Sequence, residues 1–267
     1  MPWQQAANAL GKADVIHTNA TFRTLERYWK PSVVHHHGTG FRQNPEGHLA
    51  RAREHGAQAL VSTLDLWLLA PDETIWLPAP YDLDWLDSFR KPHDGTKVRI
   101  GHAPTNRAIK STEKLMKAVA RIPEAELVLI ERKRWSDCLK MKGTVDVFFD
   151  QVILGYGNNA IEAWGMGIPV ICGAEPDTLA EMRNRFELPF YEATEDTIYD
   201  AIKAMTDEIT RKEWGERGRA HADRFHSDRA VVELLWPIYE QALTAPLPPR
   251  PLSQQTRGPR RRGRVHR

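Results

Sequence analysis

Val147-Phe-Phe-Asp-Gln-Val-Ile-Leu-Gly-Tyr-Gly-Asn-Asn-Ala-Ile-Glu-Ala-Trp-Gly-Met-Gly-Ile-Pro-Val-Ile-Cys-Gly173 decides how this chain reads. An apolar, strand-like run ends in Gly155-Tyr156-Gly157. A short helix opens at Asn158 and Asn159, and a second apolar run, Ile168 to Cys172, closes the unit. Strand, glycine turn, helix and strand in that order imply a parallel sheet with a helix on its face. A glycine turn that feeds a helix N-terminus brings backbone N–H groups close to an anion, and the helix dipole favours the negative charge. The segment therefore reads as an anion cradle suited to a nucleotide.

Two patterns fit the same residues. Gly155-x-Gly157-x-x-Ala160 satisfies the dinucleotide fingerprint, with Glu175 about 20 residues on as the ribose-binding acid. That fingerprint normally opens its half of the fold. Here a complete strand–loop–helix, Lys97 to Arg121, comes before it.

The second pattern accounts for Glu162 in the middle of the short helix. Gly155-Tyr156-Gly157 followed by Glu162-Ala163-Trp164-Gly165-Met166-Gly167-Ile168-Pro169-Val170-Ile171 resembles the donor-site motif of GT-B glycosyltransferases, above all the retaining family 4. The resemblance implies that Glu162 accepts hydrogen bonds from a donor ribose. It also implies an earlier glutamate where this chain has Leu154, a departure that leaves the sugar and the anomeric outcome open.

The polar loop His102-Ala-Pro-Thr-Asn-Arg-Ala-Ile-Lys-Ser-Thr112 is equipped to hold a diphosphate. Arginine brings forked donors and lysine a mobile charge. By the same resemblance Lys110 matches a phosphate-binding lysine, and Arg107 substitutes for an arginine whose position falls on Thr105. Thr105 and Asn106 join them as donor contacts. Glu131 and Arg132, after the strand Leu127 to Ile130, are placed to border the base.

His35-His36-His37-Gly38-Thr39-Gly40-Phe41-Arg42 is the other candidate segment. Adjacent strand residues point to opposite faces, so at most two of these histidines share a side. No metal-ligand spacing accompanies them, and no metal is expected. The glycine-rich turn suggests close approach of backbone to ligand at Gly38 and Thr39. His37 beside it is the candidate for a hydrogen bond to sugar or phosphate. The expected catalytic group is thus His37, Arg107 and Lys110. The expected donor contacts are Gly38, Thr39, Thr105, Asn106, Gly155, Tyr156, Gly157, Asn158, Asn159 and Glu162.

The remaining pattern alternates strands and helices. Strands are expected at 13–19, 32–37, 57–63, 97–102, 126–130 and 145–149. Helices are expected at 21–29, 45–54, 111–119, 177–185, 195–205, 209–221 and 228–243. Residues 67–80 are apolar but broken by prolines and carry no clear class. Trp67, Trp76 and Trp85 read as core residues in preference to sugar platforms. The resemblance implies two Rossmann-like domains facing across a cleft: a reduced N-terminal one at 1–94 and a donor domain at 95–244. No cofactor is expected beyond a UDP- or GDP-linked sugar as co-substrate.

A 41 % hydrophobic and 27 % charged composition is that of an ordinary globular chain. No apolar run approaches the length of a membrane span, no signal peptide opens the chain, and Cys138 and Cys172 stand apart, so a reduced, cytoplasmic protein is expected. The net charge of +2 divides unevenly: residues 250–267 hold seven arginines and no acid, leaving 30 basic against 35 acidic residues before them. Proline density from Ala245 onward marks 245–267 as a disordered basic tail, suited to nucleic acid or an acidic partner. Compact size and the His-His-Gly-Thr-Gly-Phe-Arg segment resemble small phage-encoded glycosyltransferases. That provenance would place the protein in a host cytoplasm, with a protein or modified DNA as acceptor. A non-catalytic nucleotide-sugar or nucleic-acid binding module is the other reading, with Leu154 as its support. An NAD-dependent oxidoreductase ranks after it.

Overall fold

The computed structural model describes residues 9–93 and 95–250. Its chain is α/β and packs as two units, each built on one wholly parallel sheet. Residues 9–62, 69–76 and 235–250 form the first unit; 63–68 and 77–234 form the second. Residues 91–93, beside the boundary expected between 94 and 95, lie inside the second unit.

In the first unit β1 (Ile16–Asn19), β2 (Ser32–His36), β3 (Gln58–Val61) and β4 (Thr74–Trp76) lie side by side in chain order. Ile16 is in register with Ser32, Val33 with Gln58 and Ala59 with Thr74. Every residue of β2 is buried, as expected of a strand covered on both faces. Helices α1 (Arg23–Tyr28), α2 (Gly38–Gln43) and α3 (Pro45–Glu54) connect the first three strands. Asn44 caps α3 by accepting from the Gly47 amide at 3.0 Å, and Pro45 suits the first helical turn.

Gly38-Thr39-Gly40 departs from the expected open turn: it is the first turn of α2, entered from His37 with Gly38 at φ +57°. The prolines of 67–80 bracket β4, a strand of three residues that the sequence pattern leaves without a class.

The second unit opens with α4 (Leu64–Trp67) and α5 (Leu83–Asp87). Its five strands are β5 (Val98–His102), β6 (Ala125–Leu129), β7 (Val147–Phe149), β8 (Val170–Cys172) and β9 (Tyr191–Glu192), in the order β6-β5-β7-β8-β9. After β6 the chain crosses to the other side of β5, which makes β5/β7 the switch point where α/β sheets open a crevice beyond their strand ends. The connecting helices are α6 (Thr112–Val119), α7 (Trp135–Lys142), α8 (Asn158–Gly165), α9 (Pro176–Arg185), α10 (Ile198–Ala204) and α11 (Glu208–Phe225). The last helix, α12 (Asp228–Thr244), begins in this unit, and its residues from Leu235 on group with the first.

Ile100, Val147, Phe149 and Ile171 from the strands pack with Leu115, Val119, Ile198 and Ile202 from α6 and α10 into one apolar core. On α8, Trp164 is wholly buried against α11. A Cβ at Gly218 would collide with the Trp164 ring, so glycine there is a packing requirement.

Residues 245–250 carry no regular secondary structure, yet they are held. Trp29 Nε1 donates to the Pro248 carbonyl at 3.0 Å, and Arg250 donates to the Glu26 carbonyl at 3.2 Å. The rest of the basic tail, 251–267, lies outside the described residues. Among the described residues no helix is long and apolar enough to cross a membrane.

Candidate nucleotide site

A cavity of about 630 Å³ opens in the second unit where β5 and β6 end and α8 begins. Ala103, Pro104, Thr105 and Arg107 line it from the loop after β5, and Ile130 to Lys133 from the loop after β6. Trp135 and Cys138 of α7 and Asn159 and Glu162 of α8 complete the wall. Arg132, at φ +53°, holds a left-handed backbone that bulky residues rarely adopt, a form of strain that collects at ligand sites.

Glu162 is nearly buried, and both of its oxygens are engaged. Trp135 Nε1 donates to Oε1 at 2.8 Å, and Lys142 Nζ donates to Oε2 at 2.5 Å. Lys142 has no exposed side-chain surface, and its ammonium also reaches the Asn159 carbonyl at 3.1 Å and the Asn159 Oδ1 at 3.0 Å. Burial pushes the Lys142 pKa below the ordinary lysine range, and the adjacent Glu162 carboxylate opposes that shift. The Asn159 amide donates to the Ala103 carbonyl at 3.1 Å, tying α8 to the loop after β5. Glu162 is thus fixed in depth and direction at the cavity wall. The sequence pattern singles out Glu162 and Asn159 but passes over Lys142, because one lysine at a helix end carries no motif.

Lys110 and the glycine turn meet at one residue that no motif marks. Asp150, at the end of β7 and 1 % exposed, accepts from Lys110 Nζ at 2.6 Å with Oδ1 and from the Gly157 amide at 2.8 Å with Oδ2. The cradle's expected amide donor and its expected lysine are therefore both held by a carboxylate. Nearby, His102 donates from Nδ1 to the Phe149 carbonyl at 2.9 Å, so its Nε2 accepts from the Thr112 hydroxyl at 2.8 Å. Desolvation lowers the His102 pKa to about 4, which keeps the ring neutral.

The remaining expected contacts also have surroundings of their own. Tyr156 points away from solvent into an aromatic cluster with Trp164, Phe186 and Phe190. His226 Nδ1 lies 3.0 Å from the Ala79 carbonyl and must donate to it. Its Nε2 then accepts from the Tyr156 hydroxyl, and His221 Nε2 donates to that hydroxyl, both at 3.2 Å. The tyrosine side chain anchors the turn from behind. Gly155, at φ +82°, requires glycine, whereas Gly157 at φ −124° does not. Asn106 Oδ1 is used locally, accepting from the Ala108 and Ile109 amides. Arg107 is exposed and forked onto Glu131 at 2.8 and 2.7 Å. That pairing raises the Arg107 pKa and lowers that of Glu131. Asn158 is exposed at the start of α8.

His37, Gly38 and Thr39 lie in the first unit, exposed where β2 gives way to α2. The His37 ring stands 4.3 Å from that of His35. Trp85 departs from the expected core role: it is 40 % exposed and packs on Trp135 with ring centroids 5.3 Å apart.

No family model matches the sequence, and no curated protein matches it closely. Solved structures do match its fold. HepE of Anabaena in complex with UDP-glucose superposes with a TM-score of 0.64 at 12 % identity, over 89 % of this chain and 81 % of that one. A glycosyltransferase of Rickettsia africae gives 0.62 at 12 % identity, over 91 % and 81 %. TarM gives 0.57 at 12 % identity, over 84 % of this chain and 54 % of that one. The two parallel sheets are those of the GT-B glycosyltransferase fold, and at such identity the likeness establishes the fold alone.

Proposed function

We propose that this chain moves a sugar from a nucleotide-diphosphate donor to an acceptor hydroxyl, with the nucleotide held in the second unit. The observation that carries the reading is Glu162: a carboxylate locked by Lys142 and Trp135 at the wall of a cavity beyond the strand ends. An ionised carboxylate at fixed depth is what two ribose hydroxyls need as acceptor. Lys110, one loop away at the β5/β7 switch point, is the cation for the phosphates. There it would offset charge growing on the leaving diphosphate. HepE, a fold neighbour, is crystallised with UDP-glucose, which favours a uridine donor as the first to try. Retention of configuration is what the family 4 resemblance implies, and Leu154 in place of the family's glutamate leaves it open.

A non-catalytic nucleotide-binding module is the second reading. Leu154 in place of the motif's glutamate favours it, as does the pairing of Lys110 with Asp150. Glu175, which a nicotinamide enzyme would need on its ribose, is absent from the cavity wall.

Melting-temperature shifts with UDP, GDP, ADP, CDP and NAD, followed by chromatography of UDP-glucose incubations, separate these readings. A shift with one nucleoside diphosphate together with release of free sugar or a transfer product supports the transferase. A shift without turnover across donors and acceptors supports the binding module, and a shift with NAD alone overturns both.

A further inference from the structure

Three cations at or near the candidate site are matched by carboxylates of the same chain: Arg107 by Glu131, Lys142 by Glu162 and Lys110 by Asp150. The first pair is exposed and the second braces the cavity wall. The third stands apart, because Asp150 engages at once the two donors that a phosphate at this switch point would use, Lys110 Nζ and the Gly157 amide.

Gly157 gives the second observation. Its extended backbone suits any residue, and a Cβ there would meet only Asp150 Oδ2, at an ordinary 3.7 Å. Neither conformation nor protein packing calls for glycine at 157. Beside the Asp150 carboxylate, a Cβ at 157 would meet no other neighbouring side chain within 4 Å.

We propose that Asp150 is a placeholder for the donor's phosphate: it holds Lys110 and the Gly157 amide in position before the donor binds and hands both to the incoming diphosphate. The proposal rests on the nucleotide reading above and adds a determinant to it. A carboxylate so placed preorganises the two donors, which limits the cost of ordering them on binding. It also sets a threshold, since only a ligand richer in negative charge than one carboxylate can displace it. Nucleosides and singly charged anions would leave the pair intact.

The test compares the full-length wild type with Asp150→Asn, using pyrophosphate, UDP and uridine as ligands in calorimetry and thermal melts. The asparagine keeps the shape but can accept from only one of the two donors. It should melt lower than wild type when empty, bind pyrophosphate and UDP on the order of tenfold more tightly, and leave uridine affinity unchanged. Equal or weaker pyrophosphate binding by the variant overturns the placeholder. UDP and uridine binding without pyrophosphate binding places the phosphates elsewhere and overturns it while sparing the nucleotide reading. Absence of all three ligands overturns both. Should Asp150→Asn not fold, ¹⁵N- and ¹³C-labelled wild type answers the question. Displacement requires the Gly157 amide and Asp150 carboxyl resonances to move together on adding pyrophosphate; stationary resonances with bound pyrophosphate overturn it.

Discussion

Lys142 Nζ lies 2.5 Å from Glu162 Oε2, and the lysine side chain has no contact with solvent. A buried cation of this kind needs an acceptor of opposite charge beside it, so Lys142 and Glu162 brace one another inside the wall of the cavity. Removing one member of a buried ion pair costs about 3–5 kcal/mol, because the other is left unmatched. Lys142→Met should therefore lower unfolding stability by that order in urea titrations, and adding Glu162→Gln should recover part of the loss. A single variant as stable as wild type would show that the pair is not the brace described.

Glu162→Gln alone should weaken nucleoside-diphosphate binding by about 1–3 kcal/mol, the worth of charge-assisted bonds to ribose hydroxyls. Calorimetry with UDP reads this directly. Unchanged affinity would remove Glu162 from the ribose, and the cavity from the donor site.

Lys110→Ala and Arg107→Ala should each cost affinity for UDP while sparing uridine. Lys110, held at the switch point, should show the larger effect; Arg107 is exposed and already forked onto Glu131. Matched losses for UDP and uridine would place the loop away from the phosphates.

The long elements were legible in the sequence, because their signals are local. Asn44 and Pro45 announce α3, which runs over the expected 45–54, and the alternation of Val98, Arg99 and Ile100 before His102 announces β5. β4 and β9, of three and two residues, escaped because prolines interrupt the sequence beside each, whereas β7 and β8, of three residues each, sit in longer apolar runs. α7 hides its inward face, because the residue it buries most deeply at its end is Lys142. The site divides in the same way. Glu162 sits in a contiguous motif, whereas Asp150 becomes meaningful only through Lys110, 40 residues away, and Tyr156 only through His221 and His226. Contacts at that separation depend on topology, and no local pattern encodes them.

The two glycines of the turn should respond differently to alanine. At 155 the backbone is left-handed and a Cβ would press on Met182 Cε at 2.6 Å. Gly155→Ala should cost about 1–3 kcal/mol, and Gly157→Ala less than about 0.5 kcal/mol. Urea midpoints of the two variants decide it; equal losses would contradict the turn geometry.

Stability should fall in acid. Burial lowers the pKa of His36, His102 and His226 to about 4 and that of His221 to about 2, whereas the unfolded chain titrates near 6.5. Above 6.5 both states are neutral and these groups add no pH dependence. Below 6.5 the unfolded state alone takes up protons, so stability drops as pH falls toward 4. His36 is buried with neither ring nitrogen bonded, so His36→Leu should hold or gain stability at neutral pH and flatten the acid limb. Urea titrations from pH 7.5 to 4.5 measure this, and a variant with the wild-type slope would exclude His36 as a contributor.

Where the tail is cut should matter by five residues. Seven arginines without an acid between 250 and 267 should bind phosphate backbones weakly and lose affinity steeply with salt. Ending the chain after Arg250 removes six of them and keeps the Trp29–Pro248 and Arg250–Glu26 bonds. That form should melt as wild type does and lose any low-salt binding to DNA. Ending it after Ala245 also removes Pro248 from Gly56 and Trp29, and should lower the melting temperature of the first unit. If the shorter form melts as wild type does, the 245–250 contacts contribute nothing to stability. DNA binding that survives both cuts would move the nucleic-acid surface onto the folded body, whose 30 basic and 35 acidic residues offer no excess of positive charge.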